Sequence, residues 1–338
     1  MEQDQADVPV HCCADCGSVA GVGVSLKACK SCKLVKYCNV KCQKNHWPTH
    51  KQVCKQRAAE LRDEALFKDP PVKEDCPICL LPMPMEFISA LSLPPATVSS
   101  VPVYELVSSS EGSISYTDPE QYYECCGKSI CRGCIHSLIM SGDWSKCPFC
   151  LAERHRLDFH DEQDENRDNI ADVMKRVQAN DAGAMCRLAQ YYSHGLGGFQ
   201  QDHAKSTEIY ARAAELGCPK AHCILGREYQ QGGDGKRAYI HFEASALAGN
   251  EMARYSLGCI EFNSGNVERA VKHWKIAASA GSFRAMDAMR TVFVVGRVSR
   301  EMIDSTLAAY NTSCAEMRSE ARDAYMHADI GSSINEKV

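Results

Sequence analysis

No stretch of this 338-residue chain approaches the ~20 consecutive apolar residues that a membrane-crossing helix needs. The first ten residues are acidic and polar, so nothing there reads as a signal peptide. An excess of basic charge is missing too: 38 Lys and Arg face 43 Asp and Glu, for a net charge of −5. That balance gives no global footprint for nucleic acid. These absences predict a protein of a reducing compartment, cytoplasmic or nuclear, with no membrane partner. What is plentiful is cysteine, 21 residues in all, of which 16 lie between Cys12 and Cys150. A disulfide-rich secreted protein is the other reading of such a count. The polar N-terminus and the tight pairing of the cysteines favour metal instead.

The first cluster pairs Cys13 with Cys16, Cys29 with Cys32, Cys38 with Cys42 and His50 with Cys54. Four close pairs supply two tetrahedral zinc shells. A module this short buries too little apolar surface to fold alone, so metal binding must carry its folding. Cys12 leaves an ambiguity at the first pair: Cys13 is preferred because two-residue spacing to Cys16 suits a zinc knuckle. A charged, helix-prone segment follows and ends at Pro70 and Pro71. The second cluster, residues 76–151, holds Cys76, Cys79, Cys125, Cys126, Cys131, Cys134, Cys147 and Cys150. A Ser/Pro-rich insert from about Ser89 to Ser115 splits it and reads as a long mobile loop.

From Asp164 the texture becomes alanine-rich and helical, and it repeats. Ala184, Ala221, Ala253 and Ala285 each stand four residues before Leu188, Leu225, Leu257 and Met289. Gly217, Gly249 and Gly281 recur at intervals of 32, each seven residues after an aromatic: Tyr210, Phe242, Trp274. Helix–turn–helix units are predicted, with Gly195 or Gly232 ending the first helix and the recurring glycines ending the second. The aromatics should fill the seams opposite small residues, holding the array without metal. The later cysteines, Cys186, Cys218, Cys223, Cys259 and Cys314, have no paired spacing and read as buried thiols. Ile303, Leu307, Tyr310, Cys314, Met317, Ala321 and Ala324 alternate by four and three, predicting a capping helix over 299–328.

Residues 12–54 resemble a MYND-type zinc finger, with Tyr37 before Cys38, Gln43 after Cys42 and Trp47 before His50 in family positions. The resemblance implies two interleaved zincs: Cys13, Cys16, Cys38 and Cys42 on one, and Cys29, Cys32, His50 and Cys54 on the other. It also implies that Gln43 and Trp47 bind proline-containing peptides, though Trp47 could equally be core. Lys27, Lys30, Lys33, Lys36, Lys41, Lys44 and Lys51 make the finger locally basic, which is read as a solvated face rather than a nucleic-acid site.

The second cluster resembles a RING finger, with Pro77 and Pro148 inside its Cys-x2-Cys turns. The resemblance implies one zinc on Cys76, Cys79, Cys131 and Cys134, and a second on Cys147, Cys150 and the pair around Cys126. Lys128 occupies the family's histidine position and cannot ligate as an ammonium. Cys125 is the expected substitute, with His136 or a missing second zinc as alternatives. Ile78, Trp144, Pro148 and Phe149 would meet a ubiquitin-conjugating enzyme. Leu151 stands where active ligases often carry an arginine that donates to ubiquitin. The helical units resemble Sel-one-like repeats, relatives of the tetratricopeptide repeat, over about 181–281, and imply a protein-binding scaffold.

The expected fold is multidomain: two small zinc-stabilised α+β modules followed by an all-α helical-repeat solenoid. Its divisions are 12–54 (MYND-like), 55–75 (helical linker), 76–151 (RING-like), 164–298 (Sel-like repeats) and 299–328 (cap). The expected function is protein interaction, as a RING-type ubiquitin-protein ligase or ligase-like adaptor, or as a non-enzymatic scaffold. Partners would be proline-containing peptides, a ubiquitin-conjugating enzyme and an unnamed ligand of the solenoid. A methyltransferase bearing a MYND finger is set aside, since no further domain surrounds the finger to hold a methyl donor.

Overall fold

The computed structural model describes residues 12–21, 23–83, 120–142, 146–152 and 166–325. The Ser/Pro-rich insert, Trp144 and the chain beyond 325 lie outside them. The chain divides into two compact units, Met1–Lys68 and Asp69–Val338.

In the first unit, β1 (Lys27–Ala28) pairs antiparallel with β2 (Lys36–Tyr37), and Cys13 bridges to Lys36. Helix α1 (Val40–Leu66) follows at once, its first turn capped by Asn39, which accepts from the Cys42 N–H at 2.9 Å. The predicted linker is therefore helical from the outset, since α1 passes through Cys54 without a break. The buried cluster consists of Cys13, Cys29, Cys32, Tyr37, Cys42 and Cys54, with Ala14, Leu26, Val35 and Cys38 against it. Five of its six buried members are cysteines, so removing the metal would leave almost no core.

The second unit opens with a loop in which Asp75 bridges to Pro82. Strands β3 (Glu120–Tyr123) and β4 (Lys128–Cys131) form an antiparallel hairpin with Tyr123 opposite Lys128, and α2 (Arg132–Ser141) leaves directly from β4. The fully buried Tyr123 and Ile130 fill the space between the cysteines, and Phe149 meets Tyr123 edge-on.

The helical array runs through α3 (Asn166–Gln178), α4 (Ala182–His194), α5 (His203–Glu215), α6 (Pro219–Gln231), α7 (Gly235–Leu247), α8 (Glu251–Asn263), α9 (Val267–Ser279), α10 (Phe283–Val294) and α11 (Arg300–Glu316). Its beginnings are marked by side-chain caps: Asp181, Asp202, Asp234, Asn250, Ser282 and Ser299 each accept an N–H from the first turn. Gly217, Gly249 and Gly281, all at positive φ, stand one residue past the C-caps of α5, α7 and α9, as predicted. The end of α6 differs in detail: Gly232 is the C-cap at φ −74°, and Gly233 takes the left-handed turn.

Tyr210, Phe242 and Trp274 fill the seams, all nearly inaccessible. The two larger seams depend on a missing side chain opposite. A Cβ on Gly226 would come 2.6 Å from the Phe242 ring, and one on Gly258 would collide with the Trp274 indole. The C-terminal segment departs from a single capping helix. After Glu316 the chain breaks and re-enters a short helix, α12 (320–325), with Ser319 Oγ accepting from the Arg322 N–H at 3.2 Å. The break turns Arg322 back toward the second cysteine cluster.

Candidate metal centres

Four of the five Cys-x2-Cys pairs lie in loops that share one backbone hydrogen-bond pattern, whereas Cys131 and Cys134 stand at the start of α2. The residue after the second cysteine donates its N–H to the carbonyl of the first: Gly17 to Cys13 at 2.9 Å, Lys33 to Cys29 at 3.1 Å, Leu80 to Cys76 at 2.8 Å and Leu151 to Cys147 at 3.0 Å. Each donor has positive φ, even where it is Lys33, Leu80 or Leu151. Branched or long side chains rarely adopt that conformation, and the tight turn it makes aims both sulfurs inward. Sequence spacing announces the cysteines but not these strained residues.

The loops bring the ligand candidates into four groups: Cys13, Cys16, Cys38 and Cys42; Cys29, Cys32, His50 and Cys54; Cys76, Cys79, Cys131 and Cys134; Cys125, Cys126, Cys147 and Cys150. Within each, the donor atoms lie within 4.8 Å of one another. Representative sulfur separations are 3.6 Å (Cys38–Cys42), 3.7 Å (Cys29–Cys54), 3.8 Å (Cys76–Cys134), 3.9 Å (Cys79–Cys131) and 3.6 Å (Cys126–Cys147). Four sulfurs at about 2.3 Å from a central zinc stand about 3.8 Å apart along the tetrahedron's edges, so the spacing fits the ion. His50 presents Nε2 to its group, 3.2 Å from Cys32 Sγ.

Protonation points the same way. Burial opposes ionisation of Cys13, Cys29, Cys76 and Cys147. Backbone N–H groups, largely from the same loops, nevertheless bring these thiols down to about 6, 6, 7 and 7. Burial and neighbouring sulfurs push the last partners up: Cys54 to about 12, and Cys42, Cys125 and Cys134 upward as well. Each group thus joins at least one thiol inclined to ionise with at least one that resists, and a cation at the centre would relieve that resistance. Zinc, with its preference for thiolate and imidazole donors, is the cofactor that these centres suit.

The structure draws in Cys13 and leaves Cys12 to a β-bridge with Val19. It places Cys125 beside Cys126, while His136 meets the Tyr325 ring instead. Gln43, Lys44 and Trp47 line a shallow cavity of about 220 Å³ on α1, with Trp47 41 % exposed rather than core. In the second module Ile78, Leu80 and Leu151 are exposed, and Pro148 and Phe149 are half-buried.

Arginines of the helical array meet this module at both of its cysteine groups. Arg322, itself buried, donates to Cys131 Sγ and Cys79 Sγ at 3.4 Å each, and to the carbonyls of Pro82 at 2.9 Å and Met317 at 2.6 Å. Gly133 allows that approach, since a Cβ there would come 2.7 Å from the Arg322 backbone. Arg176 of α3 donates to the carbonyls of Glu124 at 2.6 Å and Cys125 at 3.1 Å, and Tyr122 Oη donates to Asp181 at 2.9 Å. Lys73 pairs with the buried Glu251 at 2.6 Å and donates to the Ala280 carbonyl at 2.7 Å. Apart from Arg322 with Met317, these contacts join residues at least 51 apart in the chain and so have no local sequence signal.

Residues 13–54 match the family model of the MYND finger, and residues 182–218, 219–250 and 252–282 match that of the Sel1 repeat. The chain carries a MYND finger and Sel1 repeats. Among curated proteins, chitin synthase regulatory factor 4 of Schizosaccharomyces pombe is 29 % identical over 111 residues. That match covers 31 % of this chain but only 18 % of the relative's length. Among solved structures, a Sel1 repeat protein from Oxalobacter formigenes is 21 % identical with a TM-score of 0.40, covering 56 % of this chain and 73 % of that one. A protective antigen of uropathogenic Escherichia coli displaying the SLR fold is 18 % identical with a TM-score of 0.36, covering 46 % and 38 %. The MYND finger and the Sel1 repeat are both families of protein-interaction module. Among the described residues no helix is long and apolar enough to cross a membrane.

Proposed function

We propose that the protein is a zinc-organised interaction scaffold whose four Cys/His groups each hold one zinc ion through the residues named above. The observation that carries this reading is the common geometry of the groups, with donor atoms within 4.8 Å and no group lacking a fourth member. The MYND finger would take a proline-containing, extended peptide at Gln43 and Trp47, where an exposed indole borders a cavity. Trp47→Ala should abolish binding of a proline-rich probe peptide while leaving zinc content unchanged. Equal binding by the variant would remove the peptide from this surface.

A second, finer reading concerns the second cysteine module. Its alternating use of cysteine pairs and the exposure of Ile78, Leu80 and Leu151 support a RING-like module that docks a ubiquitin-conjugating enzyme through Ile78 and Pro148. Of the other two expected contacts, Phe149 is half-buried and Trp144 lies outside the described residues. Leu151 offers no donor to ubiquitin, so the module would recruit more readily than it would activate. Discharge of ubiquitin from a panel of loaded conjugating enzymes tests this: a faster rate abolished by Ile78→Ala supports it. No binding by any member leaves the non-enzymatic scaffold.

A further inference from the structure

Two of the cysteines outside the metal groups are in contact. Cys186, buried in α4, and Cys218, partly exposed at the N-cap of α6, have their sulfurs 3.7 Å apart. Neither belongs to any of the four groups of Cys, His, Asp and Glu that could hold a metal ion among the described residues. Their contact is sulfur to sulfur, and that is the chemistry the pair offers.

The position of Cys218 is unusual within the repeats. At the corresponding turns Asn250 and Ser282 accept an N–H from the first turn of α8 and α10 through a side-chain oxygen. Cys218 puts a sulfur there instead, and α6 has no side-chain cap of the ordinary kind. The Cys186 thiol, the N–H groups of Ala221 and Lys220 and the Lys220 charge all favour the anionic sulfur. Against burial they bring Cys218 down to about 6. Cys218 is therefore the nucleophile and Cys186 its proton-bearing neighbour.

We propose that Cys186 and Cys218 are a peroxide-sensitive dithiol, closing to a reversible disulfide between α4 and the start of α6, across the first Sel1 repeat, when a hydroperoxide supplies the oxidising equivalents. The Cys218 thiolate attacks one peroxide oxygen, and the O–O bond breaks. The departing oxygen takes a proton and leaves as water or, from an organic hydroperoxide, as the alcohol, giving a sulfenic acid on Cys218. The Cys186 sulfur then attacks the sulfenic sulfur, the S–O bond breaks, and the hydroxyl leaves as water with the Cys186 proton. Two thiols are oxidised and one peroxide is reduced. The sulfurs must close from 3.7 Å to about 2.05 Å, a movement that rotation of the Cys218 side chain at the helix end can supply. The bond would staple α4 to the start of α6 across α5. This is also where Arg187 and Lys220 reach Glu124 and Glu120 of the second cysteine module.

The test uses the zinc-loaded full chain, titrated with hydrogen peroxide, quenched with an alkylating agent and digested by trypsin without reduction. The expected product is peptide 177–187 linked to peptide 213–220, lighter than their sum by two hydrogens and separated again by dithiothreitol. Oxidation should raise the melting temperature by about 5 °C or more, as expected of a bond closing a loop of this length. Cys186→Ser or Cys186→Ala should let Cys218 accumulate as a dimedone-trapped sulfenic acid at least several-fold above wild type. Zinc release by doses that leave the two peptides unlinked would overturn the proposal. So would oxidation of wild-type Cys218 to sulfinic acid without the bond, or pairing of Cys218 with a different cysteine.

Discussion

The Arg322 guanidinium donates from Nε to the sulfur of Cys131 at 3.4 Å, across 191 residues of chain. A zinc ion bound by four thiolates carries a net charge of about −2, and Arg322 brings a buried positive charge to that group. The last helical segment thus takes part in the electrostatics of a metal centre that the repeats do not otherwise contain.

Replacing this arginine should therefore be felt first at the metal. Arg322→Ala is expected to weaken zinc at the Cys76, Cys79, Cys131 and Cys134 group by about 10–100-fold, the usual range for an outer-sphere partner. Competition with a chromophoric chelator, resolved by site, checks it. A uniform loss at all four groups would mean misfolding instead.

Chelation in the full chain should destabilise the helical array as well as the fingers. Arg176, Arg187, Arg322 and Lys73 all bond between the array and the segment that carries the second cysteine cluster. Helical melting followed by circular dichroism should shift to lower temperature after zinc removal. An unmoved transition would make the array independent of metal, as its sequence alone suggests.

The Trp274 seam offers a packing test from both sides. Trp274→Ala removes a fully buried indole and should cost about 3–5 kcal/mol. Gly258→Ala introduces a methyl group where the indole already stands and should cost about 1–3 kcal/mol by overpacking. Denaturant unfolding of both variants checks this, and the double variant Gly258→Ala with Trp274→Ala should lose less than the sum, since the clash disappears with the ring.

Glu261 gives a pH signature. Burial raises its carboxyl, but Arg269 Nε at 2.9 Å, Asn266 Nδ2 at 2.8 Å and Tyr239 Oη at 2.9 Å outweigh burial and hold it below the usual carboxylate value. With the folded-state value depressed, its stabilisation is complete above the unfolded value of about 4.3 and is lost as pH falls through the folded one. Glu261→Gln should cost about 1–3 kcal/mol at neutral pH. The gap between wild type and variant should close in acid, as followed by urea unfolding across pH.

The cysteine pairs, the repeat period and the seam aromatics were legible because each is a local pattern. Cys13 over Cys12 was readable as a preference from spacing, and Cys125 over His136 as one from the RING resemblance, and the donor groups gather in the preferred way. What spacing could not reveal was anything depending on contact at long range. Arg322 is one arginine among many until the break after Glu316 turns it inward. The pairing of Cys186 with Cys218 was likewise hidden, because their separation is one of three-dimensional stacking rather than motif. Leu80 and Leu151 gave no hint of positive φ, which only the knuckle hydrogen bonds impose.

The Arg322 contact also sets an order of events during synthesis on the ribosome. The last donor of the MYND finger is Cys54, so that finger can take up both of its ions while most of the chain is still untranslated. The cysteines of the second module are complete by Cys150, yet the arginine that offsets their charge emerges some 170 residues later, roughly ten to thirty seconds at ordinary elongation speeds. During that interval the module must remain open, bind zinc less firmly, or be sheltered. A nascent chain stalled before Arg322 should therefore expose Cys79 and Cys131 to thiol reagents that the finished protein turns away.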